Sequence, residues 1–134
     1  MAVTVTSQPL DINALLVSTA SLTATLEADV TGGAGLLYTV QLVNTDGSND
    51  AFFLAYDSGD ATVGTTAVDW CLYAPANDTV TYTITDGTGA VGGVAFTNLS
   101  IAAVKNVGVN DGPGGSGSTN PTSAVKAYLV CKAT

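Results

Sequence analysis

The sequence predicts an all-β domain, an antiparallel β-sandwich or jelly roll with little or no helix. Apolar residues recur at period two inside Thr- and Val-rich runs, Gly, Asn and Asp punctuate those runs at short intervals, and the 3.6-residue period of an amphipathic helix is almost absent. Short strands separated by frequent turn chemistry favour two packed sheets over one sheet covered by helices.

Taken in chain order, the runs predict strands at Val3–Thr6, Ala14–Val17, Leu22–Ala28, Leu36–Asn44, Ala51–Tyr56, Ala67–Ala74, Thr79–Thr85, Val94–Val104 and Ala124–Lys132. The first, VTVT, precedes a Pro9 break and reads equally well as a first strand or as an arm over residues 1–10 that adds to a neighbour's sheet edge. Asp11 in DINALL could cap one helical turn. TVTYTIT at Thr79–Thr85 alternates most cleanly, with Val80, Tyr82 and Ile84 on one face and threonines on the other, as in a half-buried antiparallel strand. Turns are expected at Thr31-Gly32-Gly33, Asn44–Gly47, Asp57–Asp60, Pro75–Asp78 and Asp86–Gly89. The segment Val109–Ser123 is rich in Gly, Ser, Asn and Pro and has no apolar side chain from Asn110 to Ser123, so an exposed, mobile loop is expected there. A length of 134 residues fits one domain spanning 1–134, and a 46% hydrophobic, 10% charged composition excludes intrinsic disorder.

Eleven acids stand against three lysines (Lys105, Lys126, Lys132), with no histidine and a formal net charge of −8. Gripping nucleic-acid phosphates or an anionic membrane surface needs the basic residues this chain lacks, so neither partner is expected. The start MAVTVTSQPL has neither the basic nor the apolar region of a secretory leader, which predicts synthesis in a cytoplasm. In that compartment two buried thiols are expected of Cys71 and Cys131, a disulfide being the alternative. Two thiols without histidine do not close a tetrahedral zinc site.

Chemistry finds little footing. Without histidine, an acid–base site would have to come from carboxylates, and Asp57, Asp60 and Asp69 are the candidates. The first two lie in DSGD, where Asp is expected as a turn-capping residue, so no enzyme is predicted. Asn44–Asp50 superficially resembles a calcium loop, but its glycine is misplaced and position twelve is Ala55, so a polar hairpin turn is the reading. Gly87–Gly92 spells G-x-G-x-x-G with no helix to follow, and carries no phosphate-binding expectation. Trp70, Phe52, Phe53, Tyr56, Tyr73, Tyr82 and Phe96 are expected mostly in the core; a carbohydrate-binding platform would need Trp70 or Tyr73 exposed beside other rings. No cofactor is predicted.

From Ala51 to Val104 a set of short elements follows in order: Leu54-Ala55-Tyr56-Asp57, Thr62-Val63-Gly64-Thr65, Pro75-Ala76 and Gly93-Val94-Ala95-Phe96, with Val125–Val130 as a closing strand. This order resembles the small β-sandwich structural proteins found in the virions of tailed bacteriophages, and departs from them in the glycine-rich Val109–Ser123 insert. The resemblance implies a non-enzymatic protein that decorates or cements the capsid by binding the major capsid protein or other virion subunits, as a homo-oligomer such as a trimer. A tail or fibre component, or a carbohydrate- or receptor-binding sandwich module, is the alternative. The expected partner contacts are Val3, Val5 and Pro9 of the arm and Asn110, Pro113 and Pro121 of the loop.

Overall fold

The structure, a computed structural model, describes residues 3–7, 14–85, 88, 92–106 and 119–134. Those residues form antiparallel sheets without a helix. The strands are β1 (Val3–Ser7), β2 (Ala14–Leu22), β3 (Gly35–Asn44), β4 (Ala51–Asp57), β5 (Trp70–Ala74), β6 (Asp78–Thr83), β7 (Val94–Phe96), β8 (Leu99–Val104) and β9 (Val125–Ala133). A large sheet runs β1-β2-β9-β3-β6, with β7 also pairing with β3, and a small sheet runs β5-β4-β8. The turn expected at Asp11 and most of the Asp86–Gly89 turn lie outside the described residues. Ala14–Val17, expected as a strand, belongs to β2, which runs on to Leu22.

Period-two alternation sets the register of the large sheet, since a shift of one residue would turn every apolar side chain outward. One cross-strand row is Val5–Val17–Leu129–Val40–Tyr82, and the next is Val3–Thr19–Ala127–Leu42–Val80. These rows face the small sheet. Between the sheets Val17, Leu37, Val40, Leu42, Leu129 and Cys131 join Phe53, Ala55, Leu99, Ile101 and Ala103 in one core, with Trp70 and Leu72 packed against it. That is a two-sheet sandwich.

The other face of the small sheet is covered too. Leu54, Tyr56, Ala61 and Val104 make a second cluster with Ala24 and Leu26 of the β2–β3 connection and Val63 and Val68 of the β4–β5 connection. The central strand β4 is therefore buried on both faces, as its pattern from Phe53 to Tyr56 records. This burial leaves the Tyr56 hydroxyl inside without a hydrogen-bond partner among the described residues, and desolvation, with the nearby Cys71 thiol, pushes its pKa up. An unpaired buried hydroxyl costs more than it contributes. Tyr56→Phe should accordingly be neutral or raise the unfolding free energy by about 1 kcal/mol, read from urea midpoints; a loss of stability would mean that the hydroxyl is bonded.

Three expected strands change form. Leu22–Ala28 leaves β2 at Leu22 and then runs irregularly along β8, joined to it by a Glu27–Ile101 bridge and by single bonds from Ala103 N–H to Thr23 O, Val30 N–H to Leu99 O and Asp29 N–H to Ser100 Oγ. Val94–Val104 is two strands in different sheets, because Asp57 Oδ1 accepts the Thr97 and Asn98 N–H groups at 2.7 and 2.9 Å and turns the chain between them. Ala67–Ala74 shortens to Trp70–Ala74, since Asp69 Oδ2 takes the Asp57 N–H at 2.7 Å and holds the preceding residues as a loop.

Candidate interaction surface

The polar run Asn44–Asp50 builds a knot at one end of the sandwich. Buried Asn44 donates from Nδ2 to Asn49 O (2.9 Å) and Ala74 O (3.0 Å), and its Oδ1 accepts the Asp46 N–H. Asp46 Oδ1 accepts the N–H groups of Ser48 and Asn49 and the Asn49 side-chain amide, while Oδ2 accepts the Ser123 hydroxyl at 2.9 Å. These donors, Ser48 first, hold the Asp46 carboxyl at a pKa of about 2. Both oxygens serve protein donors, and among the described residues no cluster of three acidic or thiol groups is arranged for a metal. The expected polar turn is thus an anchor joining the β3–β4 turn, the β5–β6 turn through Asn77 N–H to Asp46 O, and Ser123.

This anchor has a pH signature. The Asp46 pKa lies below its ordinary 3.8, so the stabilisation is complete above about pH 4 and is lost as pH falls through the folded value near 2. Acid unfolding of Asp46→Asn should depend less on pH across that window than that of the parent, as followed by circular dichroism; parallel curves would show that the anchor does not couple to folding.

Of residues 119–123, Thr119, Asn120 and Thr122 are exposed as expected of the loop, whereas Pro121 is buried. Asn120 Oδ1 accepts the Ala24 N–H at 3.0 Å, Lys105 N–H donates to Thr119 O, and the Ser123 hydroxyl reaches Asp46. Pro121, one of the expected partner contacts, is held between these bonds. Pro9, Asn110 and Pro113 lie outside the described residues.

The candidate carboxylates accept hydrogen bonds from the chain's own turns. Asp57 caps Thr97 and Asn98, Asp69 caps Asp57, and Asp60 accepts the Ser58 hydroxyl at 2.8 Å. Each serves the chain's own turns. Trp70 is half-buried against the core, whereas Tyr73 is 43% exposed, with its ring centroid 5.5 Å from that of Phe52 and its hydroxyl hydrogen-bonded to Asp50. The expectation of two buried thiols holds for Cys131, whose pKa burial raises to about 12. It fails for Cys71, which is exposed because β5 turns Trp70 and Leu72 inward and Cys71 and Tyr73 outward. The cysteines are unbridged.

Val3 and Val5 sit on β1, the margin of the large sheet, paired within the chain to Thr19 and Val17. The outward rows of that sheet are Thr6–Leu16–Val130–Thr39–Thr83, Thr4–Ser18–Tyr128–Gln41–Thr81 and Lys126–Val43–Thr79. They contain no acid. Tyr128 and Val130 are exposed near the centre, and the Gln41 amide donates to Thr81 across the strands. The acids of the described residues lie in loops, at strand termini and in the segment beside β8. The threonines of this face were legible in TVTYTIT and VTVT, but its extent, which depends on the strand order, was not. A comparison with protein-family models, with curated proteins and with solved structures yields no match to this chain.

Proposed function

We propose that this chain is a non-enzymatic structural component of a bacteriophage particle, made in the host cytoplasm, that decorates or cements the capsid by binding major capsid subunits. The observation that carries the reading is the acid-free outer face of the large sheet. On a chain of net charge −8, a face of threonines, Gln41, Tyr128 and Val130 can be desolvated without stranding a carboxylate. Its central strand presents an exposed aromatic, Tyr128, of the kind protein interfaces favour as an anchor, between Lys126 and Val130. Nucleic acid and membrane are not the partners, because both call for basic side chains.

The test is the composition of the particle. Virions from the source phage, purified and reconstructed, should carry the chain in regular copies on the capsid with the Tyr128 face against a neighbour. Tyr128→Asp should remove it from the particle while leaving the free protein folded. A chain that is abundant in the lysate but missing from purified particles would overturn the proposal. The exposed Tyr73 beside Phe52 favours a second reading, a carbohydrate-binding module of a fibre, for which glycan binding lost in Tyr73→Ala is the sign.

A further inference from the structure

Sheet edges invite pairing, and folded proteins normally block them. The edge of β8 is met by Thr23, Glu27, Val30 and Thr119 through backbone hydrogen bonds. On β5, Tyr73 O accepts the Tyr82 hydroxyl and Ala74 O accepts the Asn44 amide. The β6 edge begins on Asp78, a charge that discourages self-pairing. β1 differs. Among the described residues only β2 pairs with it, and nothing hydrogen-bonds to its outer edge. Its sequence VTVTS carries neither charge nor proline, and β2 beside it, ALLVSTASL, is uncharged as well.

The inner face of this edge is unfinished. Val5 shares a cross-strand row with Val17, which is fully buried, yet Val5 itself is 43% exposed, whereas Val3 on the same face packs against the core. An apolar side chain pointing to the core side of a sheet and left in water marks a place that another element covers.

We propose that a second copy of this chain covers it, through antiparallel pairing of β1 with β1 about a twofold axis at Val5. With Val5 opposite Val5, Thr4 meets Thr6 and Val3 meets Ser7, so the two Val5 side chains come together on the inner face with no charge beside them, giving the closed, isologous contact of a symmetric dimer. The outer backbone groups of alternate residues then find the partners they lack, as in strand addition generally. Charge singles out this edge for a like partner. Two chains of −8 repel each other over most of their surfaces, and the β1–β2 margin brings no charge to the contact. The contact is small, so association should depend on concentration in the micromolar range. It is independent of whether the chain belongs to a particle.

Sedimentation velocity of the full chain should show a species of twice the 13.3 kDa monomer mass at high concentration, dissociating on dilution. Val5→Lys places a charge on an exposed position and Thr4→Pro removes a strand donor; both should give monomers with unchanged far-UV circular dichroism. In a Cys71→Ser background, Val5→Cys should form an oxidised cross-link between copies, and Thr81→Cys on the opposite margin should not. A monomer at every concentration, a dimer that survives both edge variants, or cross-linking at Thr81 in place of Val5 would each overturn the proposal.

Discussion

Phe53→Ala should destabilise the domain by about 3–5 kcal/mol, the cost of deleting a buried aromatic ring and leaving a cavity. Phe53 is fully buried at the middle of β4, paired with Leu72 of β5 on one side and Ala103 of β8 on the other, and it faces the large sheet across the core. No strand can slide in to fill the space, because both neighbours are fixed by ladders that continue beyond Phe53 in each direction. Set against a total stability of about 5–15 kcal/mol for a typical domain, such a loss should lower the midpoint of thermal unfolding by roughly 10–20 °C. Phe52→Ala is the internal comparison. That ring lies on the opposite face of β4, half-buried against Tyr73, and should cost markedly less. Equal losses in the two variants, by calorimetry, would mean that β4 does not present its faces as described.

The neighbours of Phe53 also show what the sequence could and could not reveal. Strands of the large sheet were legible because one face is wet: TVTYTIT and VTVTS alternate, and β6 and β1 stand where they were expected. β4 was legible as a strand but not as a doubly buried one, because its second cover comes from Ala24, Leu26, Ala61, Val63 and Val68, residues scattered in loops. The crossing from one sheet to the other at Thr97-Asn98 left no local mark in VAFTNLSIAAV, an apolar run broken only briefly. The residue that bends it, Asp57, stands 40 positions earlier. The same distance effect hid the burial of Pro121, fixed by Ala24 and Asp46 from remote parts of the chain. Turn chemistry is local, and the Asn44–Asp50 run formed the polar turn expected of it. The candidate interaction surface was legible only residue by residue: an acid-free face exists once β1, β2, β9, β3 and β6 lie side by side, and no short window of sequence contains that order.

Gly35→Val should be as damaging as the loss of the Phe53 ring, through the opposite defect. A glycine exchanged for a larger residue in a strand usually gains stability, because the unfolded chain loses freedom. At Gly35 the gain is overwhelmed. This residue opens β3 where the strand is paired on both sides, with Ala133 of β9 and Phe96 of β7. A Cβ there would run into the Lys132 carbonyl oxygen and come within 3.0 Å of the Phe96 ring. Neither neighbour can yield cheaply: the carbonyl belongs to the β9 backbone, and Phe96 is the buried side chain that anchors the three-residue strand β7 in the core. Relief requires β3 to part from β9 or β7 to leave the sheet, so the expected cost is at least roughly 3 kcal/mol, in the upper range for overpacking. Gly33, two residues upstream, has open space around it, so Gly33→Val should leave the unfolding midpoint nearly unchanged. Similar stabilities for the two valine variants would show that β3, β7 and β9 do not meet at Gly35.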